Sequence, residues 1–319
     1  MHRRFWITIF PVLLVVASGI AVASILYYNN DYSSKFKEEK GKLESINIQD
    51  AASDPLKAKS WLTLTNDRNL TVECGMLTPR ASAKRVPAVI LLGGKATGKY
   101  AIDYAMDIRD VIIIAVDYPY EPRESYTIPQ FASDVPAIRR ALLDMVPSVM
   151  LVTDYLWTRP DVDTSRIVLL GYSFGAPFVP CLIANDHRPA VAAMVYGGGD
   201  LRSLISHNVQ RYESRGIAAV VGFIGGILLR PLEPLRYAKS MTPTPLIMIN
   251  GLNDEQVPRR NAELLFEEAR EPKRQIWLES GHVNPRNPQL TRQIIAVLKI
   301  ELVGLGVLEP EAEDTTVSR

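Results

Sequence analysis

From about residue 59 to residue 304, short β-branched apolar runs alternate with longer amphipathic ones, and this alternation constrains the fold more than any other feature of the chain. Ala88–Leu92, Val111–Val116, Ile167–Leu170, Ala190–Tyr196, Leu246–Asn250 and Gln275–Leu278 read as strands. The later ones are continuous apolar runs, as parallel strands buried on both faces require. Trp61–Thr65 and Leu70–Met76 precede them as an antiparallel hairpin, with Asn66-Asp67 as turn residues. Helical runs over about 131–157, 176–186, 259–270 and 287–303 separate the strands. The expectation is an α/β fold: a mostly parallel eight-stranded sheet flanked by helices. Asp200–Ser240 is longer than a plain crossover and is read as a helical cap insertion.

The ends of the chain differ from this pattern. Phe5–Tyr28 carries no charge and is long enough to span a hydrocarbon core of about 30 Å. Residues 1–28 are therefore expected to be a transmembrane signal-anchor, with a signal peptide cut near Ala21-Val22-Ala23 as the alternative. Arg3 and Arg4 hold the N-terminus inside while Lys35, Lys37, Lys40 and Lys42 pull the other way. The expected arrangement is a single-pass N-terminal anchor with the main domain on the non-cytoplasmic side. Residues 29–56 read as a polar stalk, 57–308 as the folded domain, and 309–319 as a disordered acidic tail.

Composition excludes several function classes. With 36 basic and 35 acidic side chains the net charge is +1, which provides no electrostatic footprint for nucleic acid. Two cysteines, Cys74 and Cys181, make no disulfide framework, and the four histidines show no metal-ligand spacing. No metal and no organic cofactor is implied.

Sheets of this class place their chemistry just beyond the carboxyl ends of strands. After Ile167–Leu170 comes Gly171-Tyr172-Ser173-Phe174-Gly175, a G-x-S-x-G whose flanking glycines let a serine sit on a sharp strand-to-helix turn. After Leu246–Asn250, the loop Gly251–Pro258 carries Asp254 and, as a fallback acid, Glu255. After Gln275–Leu278 comes Gly281-His282. Ser173 is the expected nucleophile, His282 its base, and Asp254 the group that orients the imidazole.

The order Ser…Asp…His, and the segment from Asp161 through Arg166 to Gly175, resemble the α/β-hydrolase superfamily. The likeness is nearest to its dienelactone hydrolase and acyl-thioesterase-like branch. Asp117-Tyr118 is similar to a recurrent feature there. The resemblance implies the α/β-hydrolase fold and an oxyanion hole built from backbone amides. By motif alignment these belong to Lys95 and Phe174, with Gly94 as the nearer alternative. It departs from the family pattern at Ala176-Pro177, where a second glycine is usual, and Pro180 implies a helix that kinks or starts late. The function implied is a membrane-tethered serine hydrolase of carboxylic esters or thioesters, with a small-molecule substrate. The alternatives are a non-catalytic binding protein or a small serine peptidase or acyltransferase of the same fold. The oligomeric state is not indicated.

Two further features call for a test against structure. Gly93–Tyr100 is one residue short of a phosphate-binding G-x-x-x-x-G-K-[ST] loop, with Tyr100 where the short hydroxyl should stand. Ile217–Leu229 has no polar face, so as a helix it is expected to be buried on every side, against the sheet, a ligand or lipid. Its three glycines, Gly222, Gly225 and Gly226, read as the mark of a segment that moves.

Overall fold

The computed structural model describes Gly19 and residues 30–310, except 52–56, 81–83, 106–107, 121–122, 124–126 and 285. Its centre is a nine-stranded sheet in the order β1-β2-β3-β5-β4-β6-β7-β8-β9. The strands are β1 Leu43–Asp50, β2 Lys57–Asn66, β3 Thr71–Pro79, β4 Val86–Leu92, β5 Ile112–Val116, β6 Val162–Tyr172, β7 Val191–Val195, β8 Leu246–Gly251 and β9 Lys273–Leu278. The first three pair antiparallel and β3 joins β5 antiparallel. From β5 to β9 every pairing is parallel. The apolar runs behave as their composition demands: β5, β7 and β8 are buried at every position.

All eight expected strands are present, and β1 adds a ninth, correcting the strand count. β1 lies in the segment expected to be a stalk, so residues 33–50 belong to the folded domain. Its sequence, L-E-S-I-N-I-Q-D, is exposed at nearly every position, so no buried face marks it. It is an edge strand held by backbone pairing to β2. Helix α1, Ser33–Lys40, precedes it and inserts Phe36, only 2% exposed, into the main core. The Asn66 amide then donates to the Glu39 and Lys40 carbonyls, tying the end of α1 to the β2–β3 turn.

The Phe5–Tyr28 run lies outside the described residues apart from Gly19, and so does the tail beyond residue 310. Among the described residues no helix is long and apolar enough to cross a membrane. That finding stands against the single-pass localisation expected above, and the membrane partnership drawn from residues 1–28 is not supported.

Helix α2, Ile128–Thr158, opens with a reciprocal capping box between Thr127 and Gln130. It covers one face of the sheet together with α3, Phe178–Asn185. The late start of α3 follows from Pro177 and Pro180: the first is its cap and the second falls in its first turn, where amides have no intrahelical acceptor. Between β7 and β8 lie α4, Leu201–Gln210, α5, Arg215–Leu228, and the short α6, Pro234–Tyr237. α7, Arg259–Glu268, and α8, Pro288–Gly304, complete the chain, with α8 on the opposite face of the sheet from α2.

α5 is not buried all round. Ala218 and Gly222 face inward, while Ile217 and Phe223 are 49% and 48% exposed. Gly222, Gly225 and Gly226 serve close packing against α4: a Cβ on Gly222 would stand 2.7 Å from its Arg202 carbonyl oxygen. Helix propensity alone has Gly222→Ala stabilising by about 1 kcal/mol. Overpacking against α4 backbone instead costs about 1–3 kcal/mol. Gly222→Ala is therefore expected to lower the melting temperature. Gly216→Ala, where nothing stands within 4 Å of the new Cβ, is expected to raise it or leave it unchanged. A rise in both would remove the packing account.

Candidate active site

The carboxyl ends of β6 to β9 share one edge of the sheet, because their parallel register aligns Tyr172 with Val195 and Gly251 with Leu278. Three loops leave that edge side by side and bring Ser173, Asp254 and His282 together. Ser173 Oγ lies 2.7 Å from His282 Nε2. His282 Nδ1 lies 2.9 and 2.8 Å from the two oxygens of Asp254. These partners assign the tautomer: Nδ1–H donates to the carboxylate, leaving Nε2 to accept from the serine hydroxyl.

Ser173 has φ 50°, a left-handed conformation that L-residues adopt only at a cost. The turn is tight enough to exclude side chains on either side. A Cβ on Gly171 would stand 2.6 Å from the Gly175 carbonyl oxygen, and one on Gly175 would meet the Leu92 carbonyl. Local sequence thus forces the hydroxyl out from the strand end and towards the histidine.

The Asp254 side chain is 1% exposed. Besides the imidazole, one of its oxygens accepts from the Gln256 and Val257 amides at 2.7 and 2.9 Å. Glu255, the fallback acid, points elsewhere: its carboxylate accepts from the His282 backbone amide at 3.1 Å. Its own backbone amide and that of His282 hold its carboxyl below the usual range. It braces the histidine loop from the main chain.

Gly93, Gly94 and Lys95 line the same cavity as Ser173 and His282. Tyr118 fixes this loop by donating its hydroxyl to the Gly93 carbonyl, and its ring meets Phe174 edge-on at 5.1 Å. Burial, and then the Asp117 carboxylate, push the Tyr118 phenol up, so it remains a donor. Lys99, the cation of the phosphate-loop resemblance, pairs with Glu73 and with Asp117, the latter at 3.2 Å. The loop thus turns its charge to the sheet edge rather than to a phosphate site.

Sequence reasoning did not anticipate Tyr196. This residue, at φ 57° just past β7, packs edge-on against the His282 ring at 5.5 Å, and its hydroxyl meets the Ser280 hydroxyl. The strand-end rule that selected the other three loops points to it as well. His207 Nε2 lies 3.0 Å from the Glu255 carbonyl oxygen, against the loop that carries Asp254. Cys74 and Cys181 are buried, and burial pushes both thiols up, Cys181 to about 12, so neither is a thiolate nucleophile.

Residues 144–286 match the model of the prolyl oligopeptidase family. The protein YfhR of Salmonella typhimurium is 31% identical over 144 residues, 45% of this chain and 48% of that protein. The chain thus spans about half the length of the curated relatives it matches. Among solved structures, acetyl xylan esterase 1 from Thermoanaerobacterium sp. superposes with a TM-score of 0.64 at 13% identity, covering 87% of this chain and 93% of that one. An acylaminoacyl peptidase from Pyrococcus horikoshii superposes with a TM-score of 0.56 at 16% identity, covering 86% of this chain and 50% of that one. At such identities these likenesses concern the fold.

Proposed function

We propose that the chain is a serine hydrolase of small-molecule carboxylic esters or thioesters, built on the α/β-hydrolase fold that its solved neighbours share. The observation that carries this reading is the continuous hydrogen-bonded series Ser173–His282–Asp254. In the first half-reaction the Ser173 hydroxyl gives its proton to His282 Nε2 while Oγ bonds to the substrate carbonyl carbon. The carbonyl oxygen becomes an oxyanion facing the amides of Phe174 and of Lys95 or Gly94. Collapse breaks the bond to the alcohol or thiol, which leaves with the proton from His282. A water molecule then repeats the sequence, returning Ser173 and releasing the acid. Asp254 holds the ring and stabilises its protonated form throughout.

What favours an acyl substrate is the cavity of about 420 Å³ that opens at Ser173, whose walls are largely aliphatic. A peptidase is the second reading, favoured by the prolyl oligopeptidase match. The test sets a p-nitrophenyl ester and an acyl thioester beside N-blocked and free aminoacyl p-nitroanilides. Turnover of ester and thioester exceeding that of the best anilide by at least about a hundredfold in kcat/KM supports the ester reading. Faster turnover of an anilide would favour the peptidase. Turnover of none, with the protein folded, would favour a binding protein.

A further inference from the structure

Among the described residues, the crossover from β4 to β5 holds the short 3-10 segment Gly98–Ala105 in place of a multi-turn helix. The face of the sheet that it should cover is therefore only partly covered. Side chains alternate along strands, so Val89 and Leu91 of β4, Ile113 of β5, and Leu170 and Tyr172 of β6 all project on that face. Their neighbours Ile90, Ile114 and Leu169 lie in the core on the other face, under α2 and α3. On the incompletely covered face one apolar cluster packs under Gly98–Ala105 and another under α8. Between them runs the cavity that opens at Ser173.

We propose that this cavity is an acyl tunnel, and that the substrates hydrolysed at Ser173 carry a medium-length aliphatic acyl chain, about eight to twelve carbons. The inference rests on the serine-hydrolase reading above and specifies its substrate. The strands form the floor, and Ile295, Leu298 and Leu302 of α8, spaced along one helical stripe, form the roof with Ala101 and Ala105. Of the polar lining residues, Lys95 and Thr97 belong to the Gly93 loop, Glu255, Gln256 and Asn284 to the loops that carry Asp254 and His282, and Thr291 and Lys299 to α8. Val111 and Leu308 complete the apolar lining. From Gly93 at the mouth to Val89 on the floor is four residues of strand, about 13 Å. A zigzag chain of about ten carbons reaches that depth. The acyl carbonyl then lies at Ser173 and the loop of Gly94 and Lys95, with the leaving group outside. No residue of α4 or α5 lines the cavity, so the cap helix does not form the acyl site.

The experiment measures kcat/KM of the full chain for p-nitrophenyl esters from acetate to hexadecanoate. A rise of about fourfold per methylene, the equivalent of about 0.8 kcal/mol, is expected up to about ten carbons, then a plateau or fall. Ala105→Phe and Ile295→Trp, which fill the tunnel, are expected to lower the decanoate-to-acetate ratio of kcat/KM about a hundredfold. Should either variant not fold, titration of decanoate into Ser173→Ala decides: saturable binding at one equivalent supports the tunnel, and no binding overturns it. Acetate turnover with a flat chain-length profile would overturn the tunnel while leaving the serine hydrolase intact. Absence of ester turnover and of fluorophosphonate labelling would instead overturn the hydrolase reading, and the substrate inference with it.

Discussion

Replacing Ser173 with alanine is expected to lower kcat/KM for a simple ester by about a million-fold, and His282→Gln by a comparable factor. The double variant should be no worse than either single one. The two side chains share a single proton-transfer step through the 2.7 Å contact, so removing one leaves the other without a role. Folding should be unaffected by Ser173→Ala, because the left-handed turn is set by the backbone and the flanking glycines. His187, exposed and remote from the site loops, is the control base, and His187→Gln should retain full activity. His207 is a poorer control because it touches the acid loop through the Glu255 carbonyl. Additive losses from Ser173→Ala and His282→Gln would mean that the two do not act as a unit.

The second large effect concerns the acid. Asp254→Asn is expected to reduce kcat by about ten-thousandfold, since an amide facing Nδ1 favours the wrong tautomer and cannot stabilise the imidazolium. Glu255→Gln is expected to cost less than tenfold, because a side-chain amide oxygen can still accept from the His282 backbone. Rate measurements on the two variants, with circular dichroism to establish folding, separate two neighbouring carboxylates that sequence spacing leaves open. An equal loss at both positions would make Glu255 part of the acid function.

The parts of this arrangement that sequence reveals are those governed by local chemistry. Central strands such as Ile112–Val116 and Val191–Val195 have to be apolar throughout because both faces are covered, and they stand out for that reason. The Gly171–Gly175 turn is equally local: its geometry admits no Cβ two residues either side of Ser173. β1 escapes such reading because an edge strand with exposed side chains needs no apolar face, only a partner's backbone. Helix α5 misleads for a related reason. Composition reports that it is apolar, but Gly222 is there to admit the backbone of α4, a contact with no signature in α5 alone. The choice between Asp254 and Glu255 turns on loop conformation, and the cavity on side chains from three strands and a helix meeting at a distance. Both depend on tertiary placement, which no single segment encodes.

The proposed chemistry depends on Ser173 as the nucleophile. A fluorophosphonate probe reacts with a serine whose hydroxyl is deprotonated by a neighbouring base, and leaves an adduct that peptide mapping by mass spectrometry can locate. Incubated with the folded wild-type chain, the probe should modify one site, in the peptide containing Gly171-Tyr172-Ser173-Phe174-Gly175. No adduct should form in Ser173→Ala. An adduct that persists in Ser173→Ala, or a folded wild-type chain that takes up no probe, would contradict it.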